Sequence, residues 1–221
     1  MPLETARMIG TSGASGALFA VVASDGTAGH RYPGTLRQPA APTRDVTDML
    51  HVVAMLHGRH PGIIGYAAQH TDEPGANAWL AEASTGFAEE RRTLAILVAA
   101  SGPLPSTPGQ AESEAAVIAQ HHAFDMLSQS DRRGCALGTA AALVLDWHAV
   151  RILLDRAATR MGIDIATAAL PSPVDSAVMI DGFATTSAVE RALLFGAQQF
   201  AAQQRGLWSL LEARSIARNH S

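Results

Sequence analysis

Lysine is absent from this chain, and all 16 of its basic residues are arginine. That excludes Schiff-base chemistry on a lysine amine and the phosphate-binding lysine of a P-loop. The single cysteine, Cys135, excludes an internal disulfide, and the lack of any Cys-x-x-Cys excludes a zinc site of that kind. On its apolar face Cys135 reads as a small core residue. Aromatic residues make up only 5% of the chain, so a core must be built from Ala, Leu, Val and Ile. The formal net charge is -4, and Arg91–Arg92 and Arg132–Arg133 are the only adjacent basic pairs. With no basic stripe, neither nucleic-acid binding nor attachment to an anionic membrane surface is expected. The apolar run 135–145 meets Asp146 well short of a membrane span. Gly10, Gly13 and Gly16 do not make the dinucleotide-binding Gly-x-Gly-x-x-Gly, and no Gly-x-Ser-x-Gly elbow occurs.

What is present is apolar and helical. Of 221 residues, 48% are hydrophobic, enough for one sizeable core. Ala has the highest helix propensity, and small side chains let helices approach closely. The expected class is all-α. Richness in Ala, Arg and Gly without Lys is the codon signature of a GC-rich bacterial genome. Residues 1–42, rich in Gly, Ser, Thr and Pro, show no sustained helical period and read as an irregular N-terminal arm. Within it, 17–24 is compatible with a strand turning at Asp25-Gly26. Arg7 and the apolar stretch 17–23 make a poor leader, diluted by glycines, so the expected location is the cytoplasm.

Residues 43–221 read as one helical-bundle domain. Apolar residues recur at three and four residues over 43–58, 76–100, 111–128, 131–161 and 186–217, which is the spacing of a helical core face. Pro61-Gly62, the three prolines of 102–110 and Gly162 interrupt the pattern. Short connections favour antiparallel neighbours, so the expected architecture is an up-and-down bundle of four to five helices.

Several ionisable residues fall on those apolar faces. Glu90 lies about 40° from the centre of its stripe, between Phe87 and Leu94. Asp146 lies near the centre of its own, while His148, Arg151 and Asp155 fall opposite. Glu114, Ile118, His121 and Asp125 follow one line at spacings of four, three and four, and His121 and Asp125 can touch. His57 extends the Val53 line. Asp48 and His51 point away from the stripe of 43–58. Glu90 and His121 each lie about 15 Å from the turn between their helices, so antiparallel packing places them level and predicts a contact. Asp146 is level with Glu114 by the same measure, which allows two polar layers in place of one cluster.

Buried carboxylates and imidazoles must pair, hydrogen-bond or ligate a metal. A metal-binding reading uses Glu90, His121, Asp146, Glu114, Asp125 and His57, a donor set suited to iron, manganese or zinc. No Glu-x-x-His and no His-Glu-x-x-His occurs, so the motifs of helical di-metal and zinc sites are missing. The other reading is structural polar pairs inside a non-enzymatic domain. Such a domain binds a partner protein or a small apolar ligand, or forms a homodimer through its long C-terminal helix, where Leu194, Phe195 and Leu210 lie beyond one stripe.

Overall fold

Helical spacing of Leu, Val and Ala carries through into the backbone. The computed structural model describes residues 13–220. In order these form α1 (Ala14–Asp25), a 3-10 turn (Thr27–Gly29), α2 (Arg31–Leu36), α3 (Thr43–His57), α4 (Ile63–Gln69), α5 (Pro74–Ser101), α6 (Gln110–Ser128), α7 (Cys135–Met161), α8 (Pro173–Phe183) and α9 (Ser187–Asn219). The described residues are helix and loop without strand. The five long helices match the expected spans to within a few residues. Pro74 opens α5 at its first turn, where a missing N–H costs nothing. Gly162, at φ 66°, closes α7 by donating to the carbonyls of Ala158 and Thr159.

The arrangement has nine helices among the described residues, not the four to five of an up-and-down bundle. Helix α7 is central, packing against α1, α4, α5, α6, α8 and α9. Every residue from Cys135 to Val144 is buried. It is also the one described helix long and apolar enough to cross a membrane, and 78% of its most apolar window lies inside the fold, as a core helix requires.

The irregular arm expected over 1–42 needs correction from residue 14 onward; residues 1–12, with Arg7 and Gly10, lie outside those described. Helix α1 packs on α9, α7 and α8, with Leu18 wholly buried and Val22 one turn further on the same face. The Ser and Thr that read as loop formers serve long-range contacts. Ser15 gives its amide and hydroxyl to Asp181 of α8, at 2.9 and 2.7 Å. Packing overrides weak local propensity here.

Helices α7 and α9 meet backbone to backbone. A Cβ added to Gly138 would stand 2.7 Å from Leu193 Cα, and one added to Gly196 would stand 2.8 Å from Thr139 Oγ1. Glycine usually weakens a helix by about 1 kcal/mol relative to Ala. Gly138→Ala should nevertheless destabilise, because the obstructing atoms are backbone and cannot rotate away. Overpacking of this kind costs about 1–3 kcal/mol, and its upper end outweighs the propensity gain. Gly182→Ala, which meets nothing within 4 Å, should instead gain about 0.5–1 kcal/mol. Urea denaturation of the two variants checks the opposed signs.

Candidate functional site

The polar side chains carried inward by α7 meet two separate partner sets. Glu90 of α5 is fully buried. Its carboxylate accepts from Trp147 Nε1 at 2.9 Å and from Arg151 at 2.6 Å. Arg151 also donates to Asp155 at 2.7 Å and to the carbonyl of Ala166. Arg151, expected on a solvent face, is 7% exposed. The correction has a simple cause: Glu90 of α5 and the loop carbonyl of Ala166 close over Arg151, while Asp155 one turn further on stays exposed.

Asp146 meets the N-terminal segment. Thr27 gives its amide to Oδ1 and its hydroxyl to Oδ2 of Asp146, both at 2.6 Å. The same hydroxyl accepts from Trp208 Nε1 at 2.8 Å and from Gln204 Nε2 at 3.2 Å. One donor and two lone pairs are thereby used in full. Gln204 Oε1 in turn accepts from His57 at 3.2 Å, which sets the imidazole proton on Nε2. The His57 ring is enclosed by Phe124 and Trp147, with centroids 5.6 and 5.4 Å away. Burial holds the His57 imidazole down at about 4. Burial likewise pushes the Asp146 carboxyl up to about 6, against the opposing pull of the Thr27 and Gln204 hydrogen bonds.

A third cluster joins α3 to α9. Asp48, read from sequence as pointing outward, is completely buried. Arg214 grips it through Nε at 3.0 Å and a terminal nitrogen at 2.7 Å. Arg218 bridges Asp48 at 2.6 Å and Asp45 at 2.8 Å, and Ser215 donates to Asp45 at 2.8 Å. Thr107 and Gln110 complete the shell of Arg214. The spacing signal was legible: acids at i,i+3 on one helix and arginines at i,i+4 on another.

Among the six residues considered for a metal, His121 and Asp125 do meet, with Nδ1 and Oδ2 at 3.2 Å. The Glu90–His121 contact is not made, and Glu90 turns to α7 instead. Helix α5 packs on α3, α4, α7 and α8, whereas α6 packs on α3, α4, α7 and α9, so the two expected neighbours share partners without packing closely on each other. Asp146 and Glu114 are also apart. Glu114 is exposed and accepts from Gln110 at 2.7 Å. Among the described residues no three His, Cys, Asp or Glu side chains stand together as a metal-ligand group. Asp146, Glu90, Asp45 and Asp48 are all taken up by protein donors.

Fold and interior together define an all-helical protein whose buried carboxylates are held by protein hydrogen-bond donors. The chain belongs to the family of unknown function DUF6975, which matches residues 22–219. That match reaches back through Thr27 into α1. No curated protein and no solved structure matches it.

Removing one partner of a buried pair strands the other. Asp48→Ala leaves Arg214 and part of Arg218 uncompensated and should cost about 3–5 kcal/mol, read from chemical denaturation. The pH dependence has two opposed parts. Asp146, raised from 3.8 to about 6, contributes stability that is present in acid and lost as pH climbs through 6. His57, lowered from 6.5 to about 4, contributes stability that is lost as pH falls through that interval. Asp146→Asn removes the first part and leaves the second. The stability gap between wild type and variant should therefore be larger at pH 4 than at pH 7, by about 2 kcal/mol. Parallel stability profiles would contradict the assignment.

Proposed function

We propose that this chain is a non-enzymatic interaction domain that takes a basic, apolar segment of a partner protein into the groove between α5 and α8. The observation behind this reading is the groove itself. It encloses about 470 Å³ between Trp79 of α5 and Met179 and Phe183 of α8. That volume is in the range that holds a ligand or a few side chains. Val178 beside it is 70% exposed and Val174 is 55% exposed, large apolar surfaces that a partner would cover. Glu73, Glu82 and Asp175 belong to its lining, and Glu82 forms no ion pair among the described residues. Arg133 offsets Glu73. The remaining acids favour a partner segment carrying Arg or Lys beside its apolar residues. The alternative, a metal-dependent protein using iron, manganese or zinc, has less support: His57, His121 and Asp125 line one opening, but among the described residues no three His, Cys, Asp or Glu form a metal-ligand group.

The test uses two synthetic amphipathic peptides, one Leu/Arg and one Leu/Glu, titrated against the protein by calorimetry. The Leu/Arg peptide should bind at low salt, the Leu/Glu peptide should not, and Val178→Arg should weaken binding by about tenfold, equivalent to about 1.4 kcal/mol. Equal binding of both peptides, or indifference to Val178→Arg, would refute the reading. A second copy of the chain is the competing occupant. A dimer mass in light scattering that Val178→Arg abolishes would assign the groove to self-association. The homodimer through α9 has Phe195, 41% exposed, as its accessible anchor. A dimer that survives Val178→Arg and is lost in Phe195→Arg would place the association there.

A further inference from the structure

A small opening lies where the end of α3, the loop after it, α4, α5 and α6 converge, on a part of α5 removed from the groove above. It is lined by His57, Arg59, Phe87, Arg91, His121 and Asp125, among others. Its enclosed volume is about 20 Å³, room for one water or one ligand oxygen. Among the described residues neither Arg59 nor Arg91 forms an ion pair with a carboxylate. Each guanidinium points at an imidazole nitrogen instead: Arg59 at His121 Nδ1, 3.1 Å, and Arg91 at His60 Nδ1, 3.5 Å. A neutral nitrogen lone pair gives a guanidinium one acceptor and no opposite charge, whereas an oxyanion can accept from its planar fork through two oxygens.

The position of His121 sharpens the point. Its Nδ1 is 3.1 Å from an Arg59 donor and 3.2 Å from Asp125 Oδ2, an acceptor. One ring nitrogen cannot serve both. Unprotonated, it accepts from Arg59 and faces the carboxylate with a lone pair. Protonated, it donates to Asp125 and turns an N–H toward a guanidinium. An anion that took over Arg59 would resolve the conflict, leaving Nδ1–H to Asp125. Arg91 is half-buried, with its guanidinium 5.5 Å from the Phe87 ring centroid. Partial removal from water strengthens its attraction for a counter-ion. Two guanidiniums line the opening against one carboxylate, that of Asp125.

We propose that this opening binds a small oxyanion, a phosphate or a carboxylate, between Arg59 and Arg91, with His121 responding by donating to Asp125. The site is independent of the α5–α8 groove, so either can fail without the other. Inorganic phosphate, acetate and chloride, titrated at equal ionic strength and followed through the imidazole nitrogen resonances, supply the test. Phosphate or acetate should shift His121 toward Nδ1 protonation, saturating in the millimolar range or below, while chloride has little effect. A response to phosphate alone identifies a phosphate-type ligand; a response to acetate identifies a carboxylate. Arg91→Gln should weaken the response by about tenfold, the effect of losing one charge-assisted contact. The exposed Arg59→Gln should do the same, and Arg92→Gln on the neighbouring surface should not. No imidazole response to either oxyanion, an equal response to chloride, or a response unchanged in Arg59→Gln and Arg91→Gln would overturn the proposal.

Discussion

The encirclement of α7 is the constraint on which the rest of the structure depends. Every residue of α7 from Cys135 to Val144 is buried, and Asp146 and Arg151 beyond them still point inward, where each must find a partner. Asp146 finds the amide and hydroxyl of Thr27; Arg151 finds Glu90. An orphaned neutral group at such a depth costs about 1–3 kcal/mol, and a charge costs more. Each of these pairs joins α7 to a different part of the chain. The polar interior therefore fixes which segments come together, while the Ala- and Leu-rich surfaces supply the burial.

The use of arginine has a structural consequence in the α3–α9 clasp. Asp45 and Asp48 are held by two guanidiniums whose planar forks bridge several acceptors at once, a geometry that an ammonium cannot reproduce. Helix α9 is fastened at two levels by different means. Gly138 and Gly196 bring its backbone against α7, and Arg214 with Arg218 locks its far end to α3. Close approach and charge pairing divide the task along one 33-residue helix.

The long helices were legible because their apolar residues recur at helical spacing, and the burial of Glu90 and Asp146 followed from their place on those stripes. Their partners were not legible. The Glu90–His121 expectation assumed that helices adjacent in sequence pack together, but α5 and α6 pack chiefly on shared helices instead of on each other. Arg151 was placed on a solvent face by helical phase, which holds for Asp155 but could not show that Glu90 and the Ala166 carbonyl cover Arg151. Thr27 carried no signal at all, since a threonine among glycines looks like loop until its hydroxyl is seen to join Asp146, Gln204 and Trp208. Asp48 and Arg218 had a readable charge pattern, yet only the tertiary fold brings residues so far apart in sequence into one cluster.

These interactions make the segment from α1 to α2 part of the core, with its polar anchor at Thr27 and its apolar anchor at Leu18. The polar interior is a structural lattice, and the α5–α8 groove and the arginine-lined opening are the surfaces proposed for binding. Amide hydrogen exchange at Thr27 addresses this account most directly. Its N–H is bonded to the buried Asp146 carboxylate. It should exchange only through global unfolding, as slowly as the most protected amides of α7. Rapid exchange at Thr27 while α7 stays protected would show that the N-terminal segment opens on its own, and would contradict the account.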